Sequence, residues 1–359
     1  MEIEELDAAV YAIPTDRALE DATQSFDTLE LVVVRVRLAD RTEGMGITYT
    51  IGEGAEAIAA FTESVLRPLL VGSDPAPRHA YESMRTGTTF VGREGMSELA
   101  IAAVDIALWD AAARGAEEPL VSYLGGSHRS VPVYETHGGW LHLSREELLE
   151  TASRVGEEGY AGMKMKLGRG HAEDERRVRA VREELPDRCE LMLDANCGYT
   201  VDEAIRFTRR VSNLDLAWLE EPLEKDDYVG YATLRDRVEI PIATGENFYS
   251  PTAFKQVLAL DAVDILQPDV CRVGGITPWV RVAELGAAWG CPVIPHYIEP
   301  IHLHLAAAVE NVPYIEHHST VLDRVMTDPP VIEDGLMEPA EIPGHGVRFE
   351  GIDQYRVSH

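Results

Sequence analysis

The stretch Tyr160-Ala-Gly-Met-Lys164-Met-Lys166-Leu-Gly168 decides how this chain is read. Met163 and Met165 alternate with Lys164 and Lys166, the period of a β-strand, so both ammonium groups project from one face. These are two of only four lysines in the sequence; the other basic residues are arginines. Lysine is the basic side chain whose proton is readily removed, and two side by side are expected to lower each other's pKa. A solvated edge strand also carries lysines, so the meaning of the pair rests on what surrounds it.

Working outward, short apolar runs alternate with helical patterns from residue 131 onward. The runs are 131–134, 162–166, 191–194, 216–220, 240–246, 263–269, 292–296 and 313–316. From the second onward, successive ends lie 20 to 28 residues apart, room for one strand, one helix and tight loops. This is the texture of βα units on a parallel sheet. Eight such units close into a (β/α)8 barrel; an open doubly wound sheet would not need eight units of such regular length.

The first fifty residues read differently. Residues 3–13, 29–38 and 46–51 carry the β-branched enrichment of a small antiparallel sheet, with a polar loop over 14–23. Helices are predicted over about 54–69, 77–86 and 97–115. In the third, Ile101, Val104, Leu108 and Ala112 form an apolar stripe, and Asp105, inside that stripe, needs a partner if buried. Gly44-Met-Gly46 lacks the third glycine of a dinucleotide fingerprint and leads into a strand, so it is rejected as one. Residues 326–359 are rich in proline and glycine, hold no further βα unit, and read as a tail crossing back to the N-terminal lobe. The expected organisation is an α/β chain with an N-terminal α+β unit over 1–115, a barrel over 116–325 and the returning tail over 326–359.

Composition narrows the function. Acidic residues outnumber basic ones 62 to 32, a formal net charge of −30, which excludes nucleic acid and anionic membranes as expected partners. The excess is spread along the chain, as on a surface adapted to high salt. Cys189, Cys197, Cys271 and Cys291 have no close-paired metal spacing and are expected reduced. No run approaches a membrane span and the N-terminus lacks an apolar signal core, so a soluble cytoplasmic protein is expected.

The polar residues that end these runs carry the chemistry. They are Lys166, Asp194, Glu220, Glu246, Asp269, His296 and Glu316, and in a barrel such ends converge on the mouth. Asp194, Glu220 and Glu246 come from three consecutive strands. Three uncompensated anions oppose one another's ionisation; a hard divalent cation relieves this, and an all-oxygen shell suits Mg²⁺. Across the mouth from Lys166, Asp269 and His296 end adjacent strands, where a carboxylate orients an imidazole and raises its basicity. The mouth is therefore expected to hold one base on each side of a bound metal. Glu316, if kept protonated by its anionic neighbours, would donate a hydrogen bond to a substrate oxygen. Asn196 lies beside the metal as a substrate contact, and His302, His304, His317 and His318 read as structural.

Lys164-Met-Lys166, Asp194-Ala-Asn196, Trp218-Leu-Glu220-Glu-Pro222, Ala243-Thr-Gly-Glu246, Gln267-Pro-Asp269, Gly274-Gly275, His296 and Glu316 together resemble the enolase superfamily, mandelate racemase subgroup. The helix Ala102-Ala-Val-Asp-Ile-Ala-Leu-Trp-Asp110, closing at Leu124-Gly-Gly126, resembles that family's entry into its barrel. The resemblance implies a modified barrel capped by an α+β lobe built from the N-terminal segment and the C-terminal tail. It implies Asp194, Glu220 and Glu246 as Mg²⁺ ligands, Lys166 and the His296–Asp269 pair as acid–base groups, Lys164 beside them, and Glu316 as hydrogen-bond donor. An ene-diolate held by Mg²⁺ is the chemistry long associated with that superfamily. Segments 134–142 and 299–307 are similar to acid-sugar dehydratases of the galactarate/talarate type. Thr136-His137 and the capping loop 14–26, which contains Arg17, depart from that type; there the substrate is chosen, and Lys164, Asn196, His137 and Arg17 are the expected substrate contacts.

The leading expectation is loss of water from an aldonate or aldarate to give a 2-keto-3-deoxy acid, by an enzyme that assembles as a homo-oligomer between dimer and octamer. Racemisation or epimerisation of a 2-hydroxy acid, with Lys166 and His296 on opposite faces, uses the same constellation. A non-catalytic barrel predicts a decayed mouth, which the filled positions argue against.

Overall fold

In the computed structural model, residues 2–318 and 321–357 are described. Three antiparallel strands open the chain: β1 (Ile3–Glu20), β2 (Ser25–Leu38) and β3 (Glu43–Ile51), in the order β1-β2-β3. The loop expected over 14–23 is instead strand for most of its length. β1 runs to Glu20 and turns through Asp21–Gln24, with a register irregularity between Pro14 and Leu19. Proline and charge misled the reading there, because a long hairpin beyond the edge of the cap tolerates both. In the turn, Asp21 Oδ1 accepts from the N–H groups of Thr23 (2.7 Å) and Gln24 (3.0 Å), the local bonding that favours aspartate at bends.

The predicted helices follow. The first is continuous over residues 55–70, with a π-helical turn at Thr62–Leu66; the others are Pro77–Gly87 and Met96–Gly115. The last is buried nearly all round, sandwiched between the sheet and the barrel, which accounts for its uniformly apolar sequence. Gly44 and Gly46, rejected above as a nucleotide motif, have a packing role. A Cβ on Gly46 would lie 1.9 Å from the Ala103 carbonyl oxygen and one on Gly44 2.1 Å from that of Ala107. Only glycine lets β3 lie this close to the helix.

The parallel sheet comprises β4 (Val131–Glu135), β5 (Gly162–Lys166), β6 (Glu190–Asp194), β7 (Trp218–Glu220), β8 (Ile242–Thr244), β9 (Ile265–Leu266) and β10 (Ile315–His317). Its order is β10-β4-β5-β6-β7-β8-β9, every pair parallel, curled into a barrel of the (β/α)8 type. Seven of the eight expected runs are strands. The eighth, 292–296, makes only a bridge: Val293 pairs with Leu266, and its N–H donates to the Asn311 carbonyl at 2.9 Å. Pro292 removes one donor and the chain leaves the ladder at once to carry His296 into the mouth.

The tail adds β11 (Leu336–Met337), antiparallel on β4. It then reaches the N-terminal sheet, where Arg356 bridges Tyr11 and the Val357 N–H donates to the Val10 carbonyl at 2.9 Å. Among the described residues, no helix is long and apolar enough to cross a membrane. All four cysteines are free thiols.

Candidate active site

The strand register brings the site together. In β5–β6–β7, Lys166 pairs with Asp194 and Asp194 with Glu220, so the three share one level at the carboxyl end of the sheet. Ligand-type oxygens of Asp194, Glu220 and Glu246 lie within 4.8 Å of one another, and all three residues are buried. After these strand ends the backbone bends sharply. Asn196, Cys197 and Glu221 take positive φ values of 41°, 61° and 38°, and Gly245, before Glu246, takes 139°. Such backbone is costly for non-glycine residues and concentrates at functional sites.

Each triad carboxylate has its own basic partner. Lys166 Nζ lies 2.5 Å from Asp194 Oδ2, Lys164 Nζ 2.6 Å from Glu220 Oε1, and His296 Nε2 3.4 Å from Glu246 Oε2. Glu220 Oε2 also accepts from Gln267 Nε2 at 2.6 Å and Trp218 Nε1 at 3.1 Å. The donor set fits a hard divalent cation: three carboxylates, all oxygen, closely grouped. Glu246 Oε2 and the nearby Asn196 Oδ1 are buried without a hydrogen-bond partner, and unfilled acceptors of that kind are what a cation or a bound substrate would engage.

The two lysines are not equivalent. Lys166 lines a cavity of about 250 Å³, with the Trp140 ring 5.1 Å from its ammonium. Lys164 does not line it; its side chain is 1% exposed and fixed between Glu220 and Glu316. Burial lowers both pKa values, and Lys164 lowers that of Lys166 as expected, but the surrounding carboxylates together outweigh this, Asp194 foremost at Lys166 and Glu220 then Glu316 at Lys164, so both are raised. Lys164, expected among the substrate contacts, is not one of the residues that line the cavity.

Opposite stands the imidazole. His296 Nδ1 lies 2.9 Å from Asp269 Oδ2, which leaves Nε2 toward Glu246 and the cavity. Burial lowers the His296 pKa, but Glu246 and the Asp269 hydrogen bond raise it to about 9. Asp269 Oδ1 accepts from the Cys271 N–H at 2.7 Å, and its Oδ2 also accepts from Tyr49 Oη at 2.6 Å.

Glu316 differs from expectation. Its Oε1 is 2.7 Å from Lys164 Nζ and accepts from Thr136 Oγ1 at 2.9 Å; its Oε2 accepts from the Tyr297 N–H at 2.8 Å. Burial pushes its pKa up, but Lys164 and then His296 hold it well below the usual range. It is a carboxylate that accepts, not a protonated donor.

Asn196 lines the main cavity as expected. Arg17 and His137 do not: they line a second cavity of about 190 Å³, and Arg17, half-exposed, donates to Glu147 Oε1 at 2.8 Å. The two cavities share Thr15, Leu19 and Val321. The histidines read as structural divide. His302 accepts from the Val270 N–H and His304 from the Val121 N–H, each at 3.2 Å, whereas His318 lines the cavity against Trp140 and Tyr297. Residues to which the sequence assigns no place in the site are Trp140, Gln267 and His318, the last expected to be structural, together with Leu19, Phe26 and Tyr49 from the N-terminal sheet. No strand-end rule points to them, since they come from loops and from a different sheet.

Comparison with known proteins agrees with this geometry. Residues 7–125 match the model of the mandelate racemase/muconate lactonizing enzyme N-terminal domain, and residues 147–352 that of the enolase C-terminal domain-like family. The chain is 37% identical to L-talarate/galactarate dehydratase of Salmonella typhimurium over 91% of this chain and 81% of that protein. It is 36% identical to 3,6-anhydro-alpha-L-galactonate cycloisomerase of Streptomyces coelicolor over 99% of both. The crystal structure of the Salmonella typhimurium LT2 dehydratase liganded with Mg and L-lyxarohydroxamate superposes with a TM-score of 0.94 and 33% identity, covering 99% of this chain and 93% of that one. By its paired domain models, its fold and its relatives, the chain belongs to the mandelate racemase subgroup of the enolase superfamily.

Proposed function

We propose that the protein is a Mg²⁺-dependent acid-sugar dehydratase acting on an aldonate or aldarate. The observation that carries this reading is that Lys166 and His296 line one cavity while each contacts a different carboxylate of the same triad. A carboxylate substrate seated between them presents its α-carbon to a base on either side. Asp194, Glu220 and Glu246 would hold the cation, which supplies the positive charge that a carboxylate losing its α-proton requires.

Lys166 or His296 takes the α-proton, according to the configuration at that carbon. The bond from the β-carbon to its hydroxyl then breaks. His296, protonated and held in register by Asp269, gives the departing oxygen its proton, so that water leaves. The resulting enol tautomerises to a 2-keto-3-deoxy acid. Lys164 and Glu316, a hydrogen-bonded pair beneath the cavity, keep the Glu220 carboxylate in place. Arg17 and His137, on the adjoining cavity, are in position to meet the distal end of a six-carbon diacid. Mg-liganded and dehydratase relatives support this reading.

Incubation with a panel of aldonates and aldarates, scored by a colour reaction for 2-keto acids, tests it; keto acid from at least one member is the expected result. A second reading, racemisation or epimerisation by proton transfer without loss of water, is favoured by the paired bases. It predicts α-deuterium incorporation with no keto acid from any member.

A further inference from the structure

The N-terminal sheet does more than cover the barrel mouth. Strand β3 is stitched to the loop that follows β9: Thr48 Oγ1 donates to the Cys271 carbonyl at 3.3 Å, and Cys271 Sγ donates to the Ile47 carbonyl at 3.3 Å. Between these, the Tyr49 hydroxyl donates to Asp269 Oδ2 at 2.6 Å, the same oxygen that His296 Nδ1 approaches at 2.9 Å. The Tyr49 ring stands edge-on to Tyr297, the residue after His296, with centroids 5.1 Å apart and planes at 89°. The Arg272 guanidinium lies over the same Tyr49 ring, 5.9 Å from its centroid. Tyr49 is 4% exposed and Asp269 fully buried, so loss of the hydroxyl removes a donor from Asp269 Oδ2.

We propose that Tyr49 is a positioning residue for one of the two bases: it fixes the Asp269 carboxylate that orients His296 and leaves Lys166 untouched. A carboxylate pinned at Oδ1 by the Cys271 N–H and at Oδ2 by Tyr49 has one direction left in which to receive the imidazole. That direction fixes the ring plane, and with it where Nε2 meets a substrate. Lys166 is placed by other groups: its ammonium by Asp194 and the Trp140 ring, its carbonyl by Arg177 Nη1 at 3.1 Å. Losing one hydroxyl from the N-terminal sheet therefore acts on a single face of the substrate.

This inference rests on the two-base reading above, and the experiment separates the two. Wild type, Tyr49→Phe, His296→Asn and Lys166→Ala, all with Mg²⁺, are given pairs of acid sugars epimeric at C2 in deuterium oxide, and loss of the C2 proton, by exchange or by conversion to keto acid, is followed by NMR. His296→Asn and Lys166→Ala assign each epimer to its base. Tyr49→Phe is expected to slow this loss from the His296-dependent epimer tenfold or more in kcat and to leave the Lys166-dependent epimer within twofold. Thr48→Val, which removes a neighbouring bond between the same two segments, should leave the ratio of the two rates unchanged. Equal slowing of both epimers by Tyr49→Phe, or slowing of neither, overturns the role of Tyr49 while the base assignments stand. Absence of C2-proton loss from every epimer by wild type, with neither exchange nor keto acid, overturns the two-base reading and this inference with it.

Discussion

The Lys164 ammonium lies 2.7 Å from the Glu316 carboxylate, with each side chain 1% exposed. Lys164 also reaches Glu220 at 2.6 Å. One buried cation thus serves two buried anions, and its removal leaves both uncompensated. Breaking a buried ion pair from one side costs about 3–5 kcal/mol. Lys164→Met is therefore expected to lower the unfolding free energy by about that amount in denaturant titrations of the metal-free protein. Lys166→Met should cost less, since Asp194 keeps the Asn196 N–H and the lost ammonium itself borders the cavity.

Mg²⁺ should stabilise the fold through the triad. A cation that binds only the native state adds RT ln(1 + [L]/Kd), about 2.7 kcal/mol at a hundredfold excess over Kd. Thermal unfolding should shift upward with Mg²⁺ in the wild type, and the shift should vanish in Asp194→Asn and Glu246→Gln. Calorimetry with Mg²⁺ alone, without substrate, reads this directly.

Asp105 provides a pH-dependent term far from the catalytic groups. Its Oδ2 accepts from the Thr277 N–H at 2.8 Å, but its Oδ1 is buried without a partner. Burial outweighs the Thr277 bonds and raises the carboxyl to about 7, from 3.8. A folded-state pKa above the unfolded one means that the native state holds the proton more tightly. This contribution is complete below about pH 4 and lost as pH rises through 7, amounting to about 4 kcal/mol at most. Asp105→Asn should accordingly flatten the stability profile between pH 4 and 8 and gain stability relative to wild type above pH 7.

Arg17 tests the reach of the substrate. Its ion pair with Glu147 is exposed, so Arg17→Ala should change stability by under about 1 kcal/mol. If the second cavity receives the distal carboxylate, the same change should raise KM for aldarates several-fold and leave aldonates nearly unchanged. Steady-state kinetics on a matched diacid and monoacid would show the difference.

Much of this site is legible in the sequence because strand ends are periodic. Lys166, Asp194 and Glu220 end successive runs, and backbone register alone brings them to one level. Glu246, Asp269 and His296 end their apolar runs too, although they stand two or three residues beyond β8, β9 and the bridge at Val293. What the sequence does not display is contact between distant segments. Tyr49 and Asp269 are 220 positions apart, in different sheets, and meet only once β3 has packed on the barrel mouth. The protonation of Glu316 is likewise unreadable, because it depends on Lys164, from another strand, standing 2.7 Å from its carboxylate. The hairpin around Asp21 was hidden by its polarity, since an exposed β-ribbon and a loop have the same composition.

On the proposed mechanism, Lys166 and His296 are two bases working from opposite sides of one substrate. The most direct measurement is α-proton exchange in deuterium oxide by Lys166→Ala and His296→Asn on C2-epimeric acid sugars. Each variant is predicted to lose exchange of one epimer and keep the other, with the epimers reversed between the two. Exchange of the same epimer lost in both variants, or lost in neither, would contradict the account.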